Sequence, residues 1–325
     1  MSLRRVWVSG GAGFIGRTVV RTLIGRGYEV VTPVRDPRRA TFLTDLGATV
    51  VEDDLSDVPR LTGELREVDA VVHAAGRYRI GVTRSDRGLM WDANIGTTTR
   101  VLDAAEAAGT PRIVYVSTVN VFGNTHGAVA DEAYRRDLRA GFLSWYDQTK
   151  YGAHEVAEQR LRAGAPIVIV QPSQVYGPGD YTETGERLRL AHQGKLRFRA
   201  LGEVGMGLVH VDDLAAGIAA ALERGRTGEA YILSGPRTTL EDAIEIAARL
   251  GGRRPPALSL PTGLLRALAP LGPAIGRPNL AEVVTASAGV TYWASSAKAE
   301  AELDFHPRSV EQGLRDTFET PPELF

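Results

Sequence analysis

The most constraining feature of this sequence is a set of glycines that directly follows a short apolar segment near the N-terminus. Val6–Val8 form a β-prone run, and Gly10, Gly13 and Gly16 follow it in the spacing G-x-x-G-x-x-G. The next residues, Arg17–Arg26, place apolar side chains on one side of a helix. A strand, a glycine turn and a helix N-terminus together suit the pyrophosphate of a dinucleotide, because glycines let the backbone approach the phosphates and the helix offers free N–H groups.

Length and composition limit the classes of protein that remain. A chain of 325 residues, 43% of them hydrophobic, can bury a large core. The net charge of −1 gives no reason to expect nucleic-acid binding, and the absence of cysteine excludes disulfides and thiolate chemistry and is compatible with a cytoplasmic location. The N-terminus is expected to be a core strand rather than a signal peptide. The most apolar region, Ala257–Ile275, contains Arg266 with several prolines and glycines, so no membrane span is expected.

Strands alternate with helices through the first half of the chain, which predicts an α/β fold. The predicted strands after the first are Glu29–Val34, Thr49–Glu52, Ala70–His73, Arg112–Ser117 and Ile167–Val170. Such alternation indicates a doubly wound parallel sheet of the Rossmann type. We therefore predict a dinucleotide-binding domain over 1–175 and a smaller, mostly helical substrate lobe over 176–325. Segments near 208–235, around Val209 and Tyr231, are expected to return to the sheet.

The residue that ends the second strand bears on the choice of cofactor. Dinucleotide folds that select NAD place an acid there to hold the ribose 2′-hydroxyl. This chain has Arg35, followed by Arg38 and Arg39. A guanidinium suits a 2′-phosphate, so NADP(H) is favoured. The adjacent Asp36 keeps NAD(H) possible.

Other strand ends supply weaker cofactor signals. Asp54 and Leu55 follow the third strand, where a carboxylate could accept the amine proton of adenine. Ala74, Ala75 and Gly76 follow the fourth, and such small residues let a ligand lie close to the backbone. His73 is interpreted as structural.

The strongest chemical signal combines a helix and a strand end. Tyr146 and Lys150 are four residues apart on a predicted helix and share one face, and Ser117 and Thr118 end the fifth strand. A nearby ammonium favours tyrosinate and brings the phenol pKa toward the working range, so the tyrosine can exchange a proton with an alcohol or carbonyl. Thr118 could orient the same substrate oxygen. Lysine occurs only three times in the chain, which makes its presence at this position more informative.

With these motifs the chain resembles the extended short-chain dehydrogenases/reductases, the NAD(P)-dependent epimerase/dehydratase family. The resemblance rests on SGGAGFIG, DDLSD, VVHAAG, WDANIGTTTRVLDAA, YVSTVNVFG, YDQTKYGAHE, QPSQVYGPGD, GLVHVDDLA and SSAKAEAELDFHPRSVEQGL. It implies Tyr146 as acid/base, Lys150 as ribose ligand and pKa modulator, and Thr118 in the place of the family's Ser/Thr. It also implies that Asn94 supports Lys150, that Pro172 and Ser173 pack by the nicotinamide, and that the protein is a homodimer. The predicted cofactor contacts are Gly10, Gly13, Phe14, Ile15, Gly16, Arg35, Asp54, Leu55, Ala74, Ala75, Gly76, Asn94, Ser117, Tyr146, Lys150, Pro172 and Ser173.

Departures from the family pattern favour a branch that reduces ketones. Val119 and Asn120 stand where sugar-nucleotide dehydratases carry an Asp-Glu pair. Neither arginine that epimerases use for the substrate diphosphate is present: Met206 or Gly207 stands at the first place, and Asn279–Thr291 contains none. TPVRDP and HVDDLAAGIAAALERGRTGEAYILSG resemble dihydroflavonol reductases and 3β-hydroxysteroid dehydrogenases.

Three functions therefore remain open at the level of sequence. The first is an oxidoreductase interconverting an alcohol and a ketone or aldehyde on a small organic substrate. The second is a nucleotide-sugar epimerase with tightly bound NAD, and the third is a non-catalytic NADP-sensing protein. The apolar run LSLPTGLLRALAPL is expected to be core, with a wall for a less polar substrate as the alternative.

Overall fold

The structure is a computed structural model that describes residues 3–275 and 279–320. The strands in this part of the chain are β1 (Arg5–Ser9), β2 (Glu29–Val34), β3 (Thr49–Glu52), β4 (Ala70–His73), β5 (Ile113–Val116), β6 (Ile167–Pro172), β7 (Gln174–Tyr176), β8 (Arg199–Ala200), β9 (Gly205–His210), β10 (Ala230–Leu233), β11 (Arg237–Thr239) and β12 (Ser259–Leu260). The α-helices are α1 (Phe14–Gly25), α2 (Thr41–Asp45), α3 (Val58–Leu65), α4 (Arg87–Trp91), α5 (Thr97–Ala108), α6 (Trp145–Arg162), α7 (Glu183–His192), α8 (Val211–Arg224), α9 (Leu240–Leu250), α10 (Thr262–Leu268), α11 (Leu280–Thr285), α12 (Ala297–Leu303) and α13 (Val310–Glu319).

Seven of the strands form one parallel sheet in the order β3-β2-β1-β4-β5-β6-β10. Val6 on β1 lies opposite Val30 on β2 and opposite Ala70 on β4. The strand order reverses between β1 and β4, and ligands of doubly wound sheets bind at the carboxyl ends of the strands at such a point. The predicted fold class, a doubly wound Rossmann-like sheet, is confirmed.

Helices cover both faces of this sheet, so its strands are apolar throughout. Val6 and Val8 point to the face covered by α1 and α8, whereas Trp7 points to the face covered by α3, α5 and α6. All three side chains are fully buried. Burial on both faces is why these strands are continuous apolar runs rather than alternating ones.

A smaller three-stranded sheet, in the order β11-β9-β7, lies beside the main one. Tyr231 lies in β10 at the edge of the main sheet, but Val209 lies in β9 and does not join that sheet as predicted. β10 pairs with β6 and occupies the edge that β9 would need. β9 instead passes close to the turn after β10: a Cβ on Gly207 would lie 2.1 Å from Ser234 Oγ.

The sequence pattern of Trp91–Ala108 predicts one long helix, but in the structure this helix is interrupted. The residues Asp92–Gly96 between α4 and α5 form a π-helical turn. A Cβ on Gly96 would lie 2.4 Å from Asp92 Oδ1, so glycine there leaves room for the Asp92 carboxylate and its ion pair with Arg100. The extra residue in such a turn re-aims the side chains around it, and π-turns are frequent at functional sites.

The apolar run expected to be core instead lies at the surface. None of the residues of α10 is buried, and Leu264 and Leu268 are 47% and 41% exposed. In residues 3–275 and 279–320, no helix is both long enough and apolar enough to cross a bilayer.

Candidate active site

The glycine turn brings the end of β1 against the segment that follows β4. Gly10 has a φ of +76°, and a Cβ there would lie 2.9 Å from the Ala75 backbone. A Cβ on Gly16 would lie 1.9 Å from the Gly10 carbonyl oxygen, so the turn can close tightly only with glycine at both places. The predicted contacts Gly10, Ala75 and their neighbours Ala74 and Gly76 are therefore brought together.

Helix α1 starts at this turn with an uncapped N-terminus. Its N-cap residue is Gly13, no side chain accepts from its first N–H groups, and its first turn contains no acid. Phe14 is buried at its start, while Ile15 packs at the edge of the core. Free N–H groups at the positive end of the helix dipole fit the pyrophosphate of NAD(P).

His73, at the end of β4, is part of a buried polar network. Its Nδ1 lies 2.7 Å from Ser9 Oγ and its Nε2 lies 3.0 Å from Thr98 Oγ1. Ser9 Oγ also accepts from the Ala75 N–H. Burial, together with the charge of Lys150, lowers the pKa of His73 to about 3. A neutral imidazole with both nitrogens engaged fixes the glycine turn and does not transfer protons.

The acidic and basic residues that follow β2, where the cofactor is expected to be selected, have different partners. Asp36 accepts from the Arg38 N–H and forms an ion pair with the Arg38 guanidinium at 3.0 Å. Arg35 is exposed, and within residues 3–275 and 279–320 it has no ion pair. The acid is thus occupied by its own loop, and Arg35 remains available to an anion.

The loop after β3 gives a mixed result for the predicted adenine contacts. Leu55 is buried with a φ of +66°, and its carbonyl accepts from Arg100 Nε at 2.8 Å. Asp54 is exposed and accepts from the Ser56 N–H, which lowers the pKa of its carboxyl. Asp54 is therefore an anion facing solvent.

Asn94 connects the π-turn to two parts of the site. Its amide donates to Thr149 Oγ1 at 2.9 Å and to the Arg77 carbonyl at 3.2 Å, while its Oδ1 accepts from the Arg77 N–H at 2.7 Å. Only 1% of this residue is exposed. Asn94 thereby fixes the segment after Gly76 relative to α6, beside Lys150.

Tyr146, Lys150 and Thr118 lie buried at the carboxyl end of β5. Burial raises the pKa of Tyr146, and hydrogen bonding with the Thr118 hydroxyl partly opposes that effect. The Lys150 ammonium donates to the Val116 carbonyl at 3.2 Å and lies 5.3 Å from the centre of the Tyr115 ring. The expected lowering of the tyrosine pKa by the lysine is thus not seen in this arrangement, because the ammonium is directed at β5. A tyrosine with a raised pKa holds its proton and is suited to donate it.

The remaining predicted cofactor residues lie at the ends of β5 and β6. Ser117 Oγ lies 3.0 Å from His154 Nδ1. Pro172 ends β6, and the Ser173 hydroxyl accepts from the Gly235 N–H at 3.3 Å. These contacts connect both strand ends to their neighbours and leave them at the same edge of the sheet as Gly10.

Four further residues stabilise the surroundings of Tyr146 and were not found from the sequence. The buried ion pair between Arg136 and Asp147 holds the loop before α6. Glu282, on α11, accepts from the N–H groups of Gly81 at 3.2 Å and Trp145 at 3.1 Å. The Tyr78 ring contacts the Tyr146 ring edge-on, with 4.8 Å between the ring centroids. No pattern in the sequence marks them, because each works through tertiary contacts.

The buried lysine gives a prediction for stability against pH. Burial lowers the pKa of Lys150 from 10.5 to about 8. Between these values the unfolded chain binds one more proton than the folded chain, so this residue makes the free energy of unfolding rise with pH, by up to about 3 kcal/mol. Urea unfolding of Lys150→Met should lack that rise, whereas Lys195→Met, at an exposed lysine, should retain it. Identical pH dependence in wild type and Lys150→Met would contradict the burial argument.

The sequence and the fold of this chain are similar to those of known proteins. The model of the "Epimerase: NAD dependent epimerase/dehydratase family" matches residues 6–234. A protein of Synechocystis named as a dihydroflavonol 4-reductase is 32% identical over 326 residues, which is 95% of this chain and 92% of that protein. The crystal structure of gox2253 has a TM-score of 0.83 and 32% identity, with 96% of each chain covered. DesIV, a dTDP-glucose 4,6-dehydratase from Streptomyces venezuelae solved with NAD, has a TM-score of 0.77 and 26% identity, covering 96% of this chain and 95% of its own.

Proposed function

Because the chain belongs to the NAD-dependent epimerase/dehydratase family of extended short-chain dehydrogenases/reductases, we propose that it is an NADP(H)-linked reductase. It interconverts a ketone or aldehyde with an alcohol on a small organic substrate and releases the oxidised cofactor after each turnover. The observation that carries this proposal is the buried set of Thr118, Tyr146 and Lys150 at the carboxyl end of β5, beside the glycine turn.

In the proposed mechanism the chain's own residues bind the cofactor, orient the substrate carbonyl and protonate its oxygen. Bound NADPH supplies the hydride. Gly10, Gly13 and the first N–H groups of α1 bind its pyrophosphate, and Lys150 binds its ribose. Tyr146 donates its phenolic proton to the substrate carbonyl oxygen, and Thr118 hydrogen-bonds the same oxygen and orients it. In the reverse direction the tyrosine accepts that proton.

The epimerase alternative requires guanidiniums for a substrate diphosphate. Gly207 has no room for a side chain, since its Cβ would clash with Ser234. Arg187, Arg197 and Arg199 could take the place of the missing pair. Arg187 donates to the Ala200 carbonyl and pairs with Glu183, and Arg199 pairs with Glu241, which leaves only Arg197 exposed and without an ion pair in the described residues. A diphosphate would be poorly compensated at such a site. The dehydratase reaction also lacks its Asp-Glu pair, because Val119 and Asn120 stand in its place; the Asn120 side chain accepts from the Thr118 hydroxyl and its N–H donates to the same hydroxyl.

The reaction class is tested by supplying NADPH with a panel of ketones and, separately, with nucleotide sugars. The proposal predicts stoichiometric NADPH consumption with members of the ketone panel. Conversion of a nucleotide sugar without net cofactor turnover, with NAD retained on the purified protein, would establish the epimerase instead.

The preference for NADP(H) gives a second prediction, at Arg35. Loss of a charge-assisted contact to the 2′-phosphate should weaken NADPH binding by about 10- to 100-fold in Arg35→Ser, with NADH binding nearly unchanged. Arg38→Ser is the matched control, because that guanidinium is already paired with Asp36. Fluorescence titration of both cofactors measures the effect. Equal losses for NADPH and NADH in Arg35→Ser would remove the assignment.

The homodimer and the cytoplasmic location also belong to this proposal. The family resemblance implies a dimer through the helices over Trp91–Ala108 and Trp145–Ala163, and Trp91, at the end of α4, is 49% exposed. Light scattering of the purified protein distinguishes a dimer from a monomer.

A further inference from the structure

Two segments of the substrate lobe contain basic residues and no acidic ones. Between Glu186 and Glu203 the chain has five basic residues and no Asp or Glu, and the same is true between Glu245 and Glu282. The near-neutral net charge of the whole chain conceals this local excess. The net charge of the full sequence therefore does not exclude a basic surface.

The fold joins these two segments. β8 and β12 pair in parallel, with Arg199 opposite Ser259 and the Arg199 N–H donating to the Leu258 carbonyl at 2.8 Å. The Arg253 side chain lies against Gly194, where a Cβ would meet its Cδ at 3.1 Å. The part of the first segment around Gly194–Ala200 thus lies beside the part of the second around Arg253–Leu260.

Large apolar side chains are exposed on this part of the surface. Phe198 directly precedes β8 and is 45% exposed. Leu258, on the adjoining chain, is 59% exposed. Leu264, Leu268 and Leu271 follow at a helical spacing and are 47%, 41% and 57% exposed. The described part of the chain has thirteen exposed large hydrophobic residues, and these five are among them. They are therefore clustered rather than scattered singly over the surface.

The basic side chains here are also available. Lys195, Arg197, Arg253, Arg254 and Arg266 are exposed, and in residues 3–275 and 279–320 none of them has an ion pair. By contrast, the nearby Arg199 on β8 pairs with Glu241 and Glu245. We call the five basic and five apolar residues together the basic–apolar surface.

We propose that the basic–apolar surface docks the protein onto a membrane that contains anionic lipids. Exposed leucines beside unpaired lysine and arginine are the combination with which peripheral proteins insert apolar side chains at the headgroup boundary and attract anionic lipid. Phe198 is the one aromatic residue among the five apolar members and leucine offers no stacking face for bases, so a nucleic acid is less well matched. A protein partner would leave the unpaired cations without the anionic field that a bilayer supplies.

The basic–apolar surface lies close to the candidate active site, so docking would affect substrate access. α10 packs against α11, whose Glu282 holds Gly81 and Trp145 beside Tyr146. A docked protein therefore presents the entrance of its candidate active site near the bilayer, where a sparingly soluble substrate would partition. This use rests on the proposed function, whereas the docking itself does not.

Vesicle co-sedimentation tests the docking without any turnover. The intact protein should sediment with vesicles of phosphatidylcholine and phosphatidylglycerol but not with phosphatidylcholine alone, and high salt should release it. Each basic residue near an anionic surface contributes roughly fivefold in binding, so Arg253→Gln combined with Arg254→Gln should weaken the partition about 25-fold. The matched control is Arg4→Gln with Arg66→Gln, which removes the same charge from exposed positions elsewhere.

A second variant keeps the charge and removes the apolar contribution. Leu264→Ser with Leu268→Ser should also reduce sedimentation with anionic vesicles, while NADPH titration confirms that each variant is folded. Absence of sedimentation with anionic vesicles would overturn the proposal. So would equal loss in the control pair, or binding of an oligonucleotide in preference to vesicles.

Discussion

Replacing Tyr146 by phenylalanine is expected to lower kcat by about 1,000-fold, because the proposed reaction then lacks its proton donor. The ring stays, so its edge-on contact with Tyr78 is preserved. Affinity for NADPH should be nearly unchanged, since the pyrophosphate site is built from the glycine turn and α1. Steady-state turnover with a reducible ketone, together with cofactor titration, measures both quantities.

Tyr151→Phe is the matched control for that substitution. Tyr151 lies on the same helix, five residues later, and contacts the Phe142 ring at 5.6 Å rather than the candidate site. Its variant should retain kcat within about twofold, as expected for a group that takes no part in proton transfer. Full turnover by Tyr146→Phe, or an equal loss in both variants, would show that Tyr146 is not the acid.

Arg136→Ala is expected to lower the free energy of unfolding by about 3 to 5 kcal/mol, the cost of leaving a buried charge unpaired. The side chains of Arg136 and Asp147 are only 5% and 1% exposed, and they meet through two hydrogen bonds, one of 2.7 Å. Asp147 also accepts from the Leu143 N–H at 2.8 Å. Removing the guanidinium therefore leaves the carboxylate, one residue after Tyr146, without its counter-charge. Urea unfolding measures the loss.

The exposed pair Arg139–Asp137 provides the control within the same loop. Its side chains are 92% and 58% exposed, so Arg139→Ala should cost less than about 1 kcal/mol. Adding Asp147→Leu to Arg136→Ala should recover part of the stability, because the unpaired charge is then gone. If Arg136→Ala and Arg139→Ala were equally mild, the buried pair would not be important for stability.

The parts of the molecule that local chemistry controls were predictable from the sequence. Val6–Val8 had to be a strand buried on both faces, and the glycine spacing required a tight turn before α1. Tyr146 and Lys150 share a helix face by spacing alone. Each of these inferences needs only neighbours a few residues apart, where backbone geometry relates sequence to structure directly.

What the sequence could not supply depends on distant contacts. Asn94 acts through its hydrogen bond to Thr149. The direction of its side chain depends on a π-turn, which the uninterrupted helical pattern of the sequence does not indicate. Glu282 approaches Trp145 across 137 residues. The apolar run around Leu264 has the composition of core, but only the packed fold reveals that Leu264 and Leu268 are exposed. Net charge likewise gave no sign of the basic–apolar surface, because it averages over the chain.

The central claim is that hydride leaves NADPH for a carbonyl of a substrate that then departs as an alcohol. The most direct measurement uses NADPH with deuterium at both hydrogen positions of the nicotinamide C4 and mass spectrometry of the product. The proposal predicts one deuterium per molecule of alcohol, bound to the carbinol carbon, with an equal amount of NADP⁺ formed. Product that carries no deuterium while NAD stays bound to the protein would contradict it.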